Sequence, residues 1–414
     1  MKIEKTKGTK DFYPKEKVIQ NYIFNIWKST ALKFGYEEIE APILEPLELY
    51  TEKSGQEIVG QMYVLEDKSG RKLALRPELT PSIARMVAQD KSLQKPLRWF
   101  SIPYCFRYER QQQGRSRQFS QFNVDLLGLK TMKADAEIIA IVAETMKAFS
   151  CTEKEFTIGI NNRKLINSII ENLKIKDKDY LYRLIDKKSK MPEEEFIKGL
   201  KDIKLTNDQI KSLNKLFSIK NIDELKSFKY DEDAFKEIKE LFSLLKAYDV
   251  LKYCKLDLTI VRGLDYYTST VFEVYDTEKE FRAIAGGGRY DNLVDIFGGD
   301  PCPGIGFGMG DVVLELFLRK LNKIPELSKQ IDFFIATINV DKEAVEVAAK
   351  LRKKYNVELN LTDKNIKKQL DYANSIKAKN VLIIGEEEVK KKKVTLKDMK
   401  TGKESLISID SLIK

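Results

Sequence analysis

The segment GIGFGMG, residues 304–310, places a glycine at every second position. On a β-strand successive side chains point to opposite faces, so Gly304, Gly306, Gly308 and Gly310 share one face and leave it bare. Glycine weakens a strand interior, and a row of this kind marks the close approach of a ligand or of another backbone. The bare face would make a flat floor for a planar base; tight packing of the sheet is the competing reading, and the segment alone does not choose between them.

A second stretch, RYERQQQGRSRQFSQFNVD at 107–125, gathers four arginines, five glutamines, a glutamate and an aspartate around few apolar residues. Read as a strand from Arg115, its odd positions are Arg115, Arg117, Phe119, Gln121, Asn123 and Asp125. One face therefore grades from guanidinium groups through an aromatic ring to an amide and a carboxylate. A long ligand laid along it would meet cations at its phosphate end, a stacking surface in the middle and a carboxylate suited to an ammonium group.

The 414-residue chain contains no histidine. Ser-His and Cys-His nucleophilic catalysis and His-ligated metals are thereby removed together. The four cysteines, Cys105, Cys151, Cys254 and Cys302, lie far apart with no metal or redox spacing. What remains is chemistry run by Arg, carboxylates, amides and tyrosines, which suits charge stabilisation and positioning. The N-terminus MKIEKTKGTKDFYP has no apolar stretch for a signal peptide, and no run is long enough to span a bilayer, so a cytoplasmic protein with no membrane partner is expected. The net charge of +10 favours an anionic partner. Residues 331–414 hold 18 Lys and Arg against 13 Asp and Glu, so about half of the excess lies there; the run KKKK at 390–393 reads as a solvated face.

Periodicity divides the chain. A helix over 15–35 ends at Gly35, and YEEIEAPILEP reads as a strand interrupted by Pro42. Strands are expected at 61–66, 72–76, 97–107 and 117–127, with a helix at 79–89, which suggests an antiparallel α+β domain. From 163 to about 253 the sequence turns helix-periodic and Lys-rich, as an insertion would, before strands resume at LDLTIVRGLDYYTSTVFEVY. After LNKIPELSKQ, IDFFIATI, VELNLT and NVLIIG alternate with helices at 341–355 and 364–378, a small βαβαβ unit with a parallel sheet.

At this point the residues resemble a known family. FRYERQQQGRSRQFSQFNVDLLG looks like motif 2 of class II aminoacyl-tRNA synthetases, and VRGLDYYTSTVFEVY and AGGGRYDNLV look like the two signature motifs of histidyl-tRNA synthetases; KGTKDFYP and LRPELT match the same family. The resemblance implies a class II catalytic domain over 1–325 with its helical insertion at about 163–253, and an anticodon-binding domain over 330–414. It further implies ATP as a substrate with Mg²⁺, L-histidine and histidine tRNA as partners, no resident metal site, and a homodimer paired through the 15–35 helix and APILEP. Arg107 and Arg262 would hold the α-phosphate, Arg262 also reaching the substrate carboxylate. Glu109 would meet the adenine amino group, Phe119 would stack on adenine, Arg115 would contact the outer phosphates, and Gly308 would lie at the ATP. Glu78, Gln121 and Asp125, with Thr80 nearby, would surround the α-ammonium of histidine, and Tyr267 and Tyr290 would face its imidazole.

One departure stands out. The arginine that ends motif 3 in this class aligns with Val313, and Arg319, six residues on, does not share a helical face with it. Two rival readings are a histidine-sensing regulatory paralogue of the catalytic domain, which would lack the C-terminal domain, and an RNA-binding protein, which would leave the carboxylate-lined face unexplained.

Overall fold

The protein is described here from a computed structural model, which covers residues 3–51, 60–110, 112–188, 191–261, 266–327 and 331–413. The chain forms two compact units, Met1–Phe12 with Ile19–Pro325, and Glu326–Lys414 with Tyr13–Val18.

Among the described residues, nine strands form the main sheet of the first unit. Its order is β1 (Glu37–Glu38), β5 (Leu97–Ser101), β7 (Gln118–Leu127), β12 (Gly304–Gly310), β11 (Ala285–Tyr290), β10 (Thr270–Asp276), β8 (Phe156–Asn162) and β9 (Cys254–Leu256), while β6 (Tyr104–Phe106) pairs onto β7. The central pairings are antiparallel; β1 with β5 and β8 with β9, at the two edges, are parallel. Strand parity assigns the faces. Phe122, Val124 and Leu126 of β7, Ile305, Phe307 and Met309 of β12, and Phe272 and Val274 of β10 join one buried cluster with the helix Met132–Ala148. Trp27, on the helix Pro14–Lys33, stacks on Phe122 at 5.5 Å between centroids. The opposite face carries Gln121, Asn123, Asp125 and the glycines of β12 beside a second apolar cluster that includes Leu97, Trp99, Leu127 and Tyr290.

Three elements differ from the sequence reading. The strand expected at 97–107 is two strands, because Pro103 has no N–H to donate; its carbonyl instead accepts from the Gln121 N–H at 3.1 Å. YEEIEAPILEP likewise yields two short strands, β1 and β2 (Leu44–Pro46), the second in a small sheet with β4 (Lys72–Leu75) and β3 (Tyr63–Glu66). The helix Met132–Ala148 had no assignment. Twelve of its residues are buried, and the polar positions left outside, Lys133, Glu137, Glu144 and Lys147, make only a narrow stripe at helical spacing.

The insertion runs through helices Arg163–Asn172, Lys178–Lys187, Glu193–Asp202, Asn207–Ser218 and Glu232–Ala247. It carries its own core, including Leu165, Ile169, Leu200, Leu213 and Phe235. Caps mark its breaks: Asn162 and Asp231 accept from backbone N–H groups of the following turn, and Thr206 with Gln209 forms a capping box.

The second unit has a five-stranded sheet in the order β14 (Val357–Leu359), β13 (Phe333–Ile338), β15 (Asn380–Gly385), β16 (Lys393–Asp398), β17 (Glu404–Ser408). The first three are parallel, as expected, and buried on both faces: Phe333 and Ile335 pack on one side, Phe334 and Ala336 on the other. The antiparallel pair β16–β17 extends that parallel sheet beyond the expected βαβαβ unit. Lys390–Lys393 is exposed, at the turn into β16.

Arg289 locks β11 to the rest of the first unit. Its side chain is 2% exposed and that of Asp135 0%, and Nε donates to both Asp135 oxygens at 3.2 and 3.1 Å. Nη1 donates to the Leu129 carbonyl at 3.0 Å and Nη2 to that of Thr131 at 3.3 Å. Removing one partner strands a buried charge. Arg289→Met is therefore expected to destabilise the unit by about 3–5 kcal/mol, and adding Asp135→Leu should recover most of the loss. Urea unfolding of the single and double variants checks this, and losses that simply add would contradict it.

Candidate active site

On the polar face, register brings three strands to one place. Gly306 lies opposite Asp125 of β7 and Gly288 of β11, and Gly308 opposite Asn123 and Gly286. The glycine row does not lie open along its length. A Cβ on Gly304 would come within 2.4 Å of the Tyr290 ring, one on Gly306 within 2.3 Å of Asp125 Oδ1, and one on Gly308 within 2.2 Å of Gln121 Nε2. Only at Gly310 would a Cβ meet nothing within 4 Å. The expected flat floor for a planar base is thus mostly covered by the site's own side chains, which lie flat because the glycines make room.

These residues border a cavity of about 50 Å³ walled by Glu78, Thr80, Arg107, Gln121, Asn123, Tyr267, Gly286, Tyr290, Gly306, Phe307 and Gly308. The residues expected to hold an ammonium group are brought together with one exception. Glu78, Thr80 and Gln121 stand on the wall, whereas Asp125 sits behind it, 1% exposed, receiving the Tyr290 hydroxyl at 2.5 Å. Glu78 is itself tied down, accepting from the Tyr266 hydroxyl at 2.9 Å. Tyr266 was not singled out in the sequence; adjacent tyrosines give no sign of which one faces a site, and here Tyr267 lines the cavity while Tyr266 braces it. Asn123 was also passed over as a contact, although it shares the parity of Gln121 and Asp125.

Burial dominates the electrostatics. It pushes the Asp125 carboxyl up to about 7; the Tyr290 hydrogen bond works against that and the nearby charge of Glu78 adds to it. Asp125 Oδ2 and Asn123 Oδ1 are buried acceptors with no hydrogen-bond partner among the described residues. Burial likewise raises the hydroxyls of Tyr266, Tyr267 and Tyr290, which stay protonated as donors.

The remaining expected residues form an adjoining cluster. Arg107 donates from Nε to the Pro77 carbonyl at 2.9 Å, and its guanidinium carbon lies 5.3 Å from the centre of the Phe119 ring. Arg115 and Glu109 pair with each other at 2.5 Å. The graded strand face holds from Phe119 to Asp125 but not beyond: β7 begins at Gln118, and Arg117 leaves the row to place its guanidinium 3.9 Å from the centre of the Tyr108 ring. Arg262 lies outside the described residues. Among the described residues no three carboxylate or thiol side chains converge to hold a metal.

Comparison with known proteins follows the same division. A family model described as histidyl-tRNA synthetase matches residues 8–311, and one described as anticodon binding domain matches 330–414. The chain is 37% identical to the histidine–tRNA ligase of Pyrococcus furiosus, an alignment covering 100% of this chain and 98% of that protein. It is 36% identical to that of Thermococcus kodakarensis, with 100% and 98% covered. Among solved structures, the histidyl-tRNA synthetase of Nostoc sp. PCC 7120 superposes with a TM-score of 0.85 at 25% identity, covering 100% of this chain and 98% of that one. A Bacillus halodurans structure described as an ATP phosphoribosyltransferase regulatory subunit/histidyl-tRNA synthetase gives 0.78 at 26% identity, covering 92% and 98%.

Asp125 makes a test of the burial argument. An aspartate whose carboxyl titrates at about 7 when folded and near 3.8 when unfolded holds its proton better in the folded state, so its contribution to stability is lost as pH rises through that window. Asp125→Asn should therefore be more stable than the parent at about pH 8, by roughly 4 kcal/mol, with the advantage vanishing below about pH 4. Denaturant midpoints across pH read this out; a pH-independent difference would contradict it.

Proposed function

Because the chain belongs to the histidyl-tRNA synthetase family, a histidine–tRNA ligase that forms histidyl-adenylate from histidine and ATP and passes the histidyl group to tRNA, we propose that the cavity on the glycine face binds histidine and that the Arg107–Glu109–Arg115–Phe119 cluster beside it cradles ATP. The observation that carries this reading is the concentration of acceptors at the cavity. Glu78 and Gln121 on the wall, and the unpartnered Asn123 Oδ1, suit a ligand that donates several hydrogen bonds from one ammonium group, with Thr80 beside them.

Asp125 is better placed to act through Tyr290 than on the ammonium. With the Tyr290 proton given to Asp125, the phenol oxygen is turned to accept, which suits an imidazole N–H; Tyr267 stands on the same wall. An aliphatic side chain would leave these groups unpaired, and sites of this kind reject such analogues by large factors.

Attack of the histidine carboxylate on the α-phosphorus needs in-line placement and neutralised charge rather than a general base. Arg107, adjoining both the cavity and Phe119, is the cation for the α-phosphate, joined in this reading by Arg262. Glu109 would take the adenine amino group and Arg115 the outer phosphates, so their mutual pair opens when ATP is bound. Gly308 gives the ligand backbone access beside Gln121. Mg²⁺ in this scheme arrives on the phosphates of ATP, as part of the substrate. None of these steps asks for a histidine side chain.

The paralogue reading is disfavoured by the matched anticodon-binding domain. A homodimer is supported by exposed apolar side chains where pairing was expected: Leu32, Ile43 and Leu44, with Val64 and Leu65 on β3 nearby in the small sheet. No described helix is long and apolar enough to cross a membrane. A reducing, cytoplasmic setting suits the four free thiols, of which burial pushes Cys105, Cys151 and Cys254 up to about 12.

ATP–pyrophosphate exchange tests the proposal. It should depend on histidine and be nearly absent with glutamine or phenylalanine, and Arg262→Ala should slow it by roughly 10²- to 10³-fold with histidine binding largely kept. Equal exchange with another amino acid would overturn the assignment of the cavity. Truncation after Ile324 should leave exchange in place while sharply weakening tRNA charging, because the separate C-terminal unit is assigned to the tRNA. Full charging by the truncated chain would remove that assignment.

A further inference from the structure

The Glu109 carboxylate is approached by two guanidinium groups from distant parts of the chain. Arg115 Nε lies at 2.5 Å, and Arg282 Nη1, from the loop between β10 and β11, at 3.9 Å. One carboxylate neutralises one of them. The other charge is left over at the end of the site where Arg107 stands by Phe119. The Arg282 side chain is 42% exposed and that of Glu109 13%, so the guanidinium reaches in from the rim.

The loop that presents Arg282 is held in three ways. The Asp276 carboxylate accepts from the backbone N–H of Glu280 at 2.9 Å and of Phe281 at 3.0 Å. The Phe281 ring meets Phe317 edge-on at 6.3 Å. Lys320 bridges to Glu278 at 2.8 Å and also to Glu280. Phe317 and Lys320 lie on the helix Asp311–Lys320, which also carries Val313. The loop with Arg282 and the helix with Val313 are therefore fastened together and border the same end of the site.

Val313 brings no charge there. Its Cγ2 packs at 3.3 Å from where a Cβ of Gly114 would stand, at the turn that precedes Arg115. Arg319, further along the helix, is engaged by Glu315 at 2.7 Å. Among these positions Arg282 is the cation that approaches Glu109, at the same carboxylate oxygen as Arg115.

We propose that Arg282 is a nucleotide-binding residue that, with Arg115, clamps the β- and γ-phosphates of ATP and supplies the charge that Val313 does not. The inference rests on the ATP cradle proposed above. A triphosphate offers both guanidinium groups stronger partners than one shared carboxylate, and frees Glu109 for the adenine amino group.

The test uses the full chain and its Arg282→Ala and Arg282→Lys variants. With saturating histidine, Arg282→Ala should raise the KM for ATP in pyrophosphate exchange by roughly 10- to 100-fold, the loss expected for one charge-assisted contact, with Arg282→Lys in between. The KM for histidine, the thermal midpoint and the inhibition constant of AMP, which lacks the outer phosphates, should stay unchanged. An unchanged KM for ATP in Arg282→Ala would overturn the inference, as would equal losses of AMP and ATP affinity, which would place Arg282 at the base. Absence of histidine-dependent exchange in the parent itself would instead remove the reading of the whole site, and this inference with it.

Discussion

The site depends on backbone that carries no side chains. Tyr290, Asp125 and Gln121 come from two strands that flank β12, and each lies across the position that a Cβ of Gly304, Gly306 or Gly308 would occupy. The glycines cost the strand conformational entropy and packing. The cost is offset on the other face, where Ile305, Phe307 and Met309 pack in the unit's largest apolar cluster. One strand thus serves two purposes by parity alone: its odd residues hold the sheet to the helix Met132–Ala148, and its even residues make room for the chemistry.

That arrangement lets a protein without histidine run a reaction that needs charge in the right places. Burial raises the Asp125 carboxyl while the Tyr290 hydroxyl restrains it, and the Glu78 carboxylate accepts from Tyr266. The cations stand at the rim, in water-accessible positions where pairing with Glu109 holds them until a better anion is present. The Arg289–Asp135 pair, deep under β11, keeps Tyr290 at its place in the wall. Rigid inner groups and exchangeable outer ones follow from the same burial gradient.

Much of this was legible in the sequence because it follows period two. The shared face of Gly304 to Gly310 and the run from Phe119 to Asp125 could be read from parity, and the helix ends from Gly35 and the strand-helix alternation after residue 331. Other features have no local signature. The helix Met132–Ala148 shows only a narrow polar stripe, Arg117 departs from the strand face because it precedes the strand, and Asp125 meets Tyr290 across 165 residues of sequence. Arg282 sits in a loop where no periodicity applies, and only the fastening of that loop to the helix Asp311–Lys320 shows where it points. The bare glycine face suggested room for a ligand; the structure fills most of that room with the side chains of Tyr290, Asp125 and Gln121.

The claim that glycine at these positions is required by the side chains lying over them is tested most directly by comparing Gly306→Ala with Gly310→Ala in histidine-dependent pyrophosphate exchange. A Cβ at Gly306 would stand 2.3 Å from Asp125 Oδ1, while one at Gly310 would meet nothing within 4 Å. Gly306→Ala should lose on the order of 10²-fold in exchange through misplacement of Asp125 and Tyr290, with Gly310→Ala close to the parent. Comparable activity in the two variants would contradict the account.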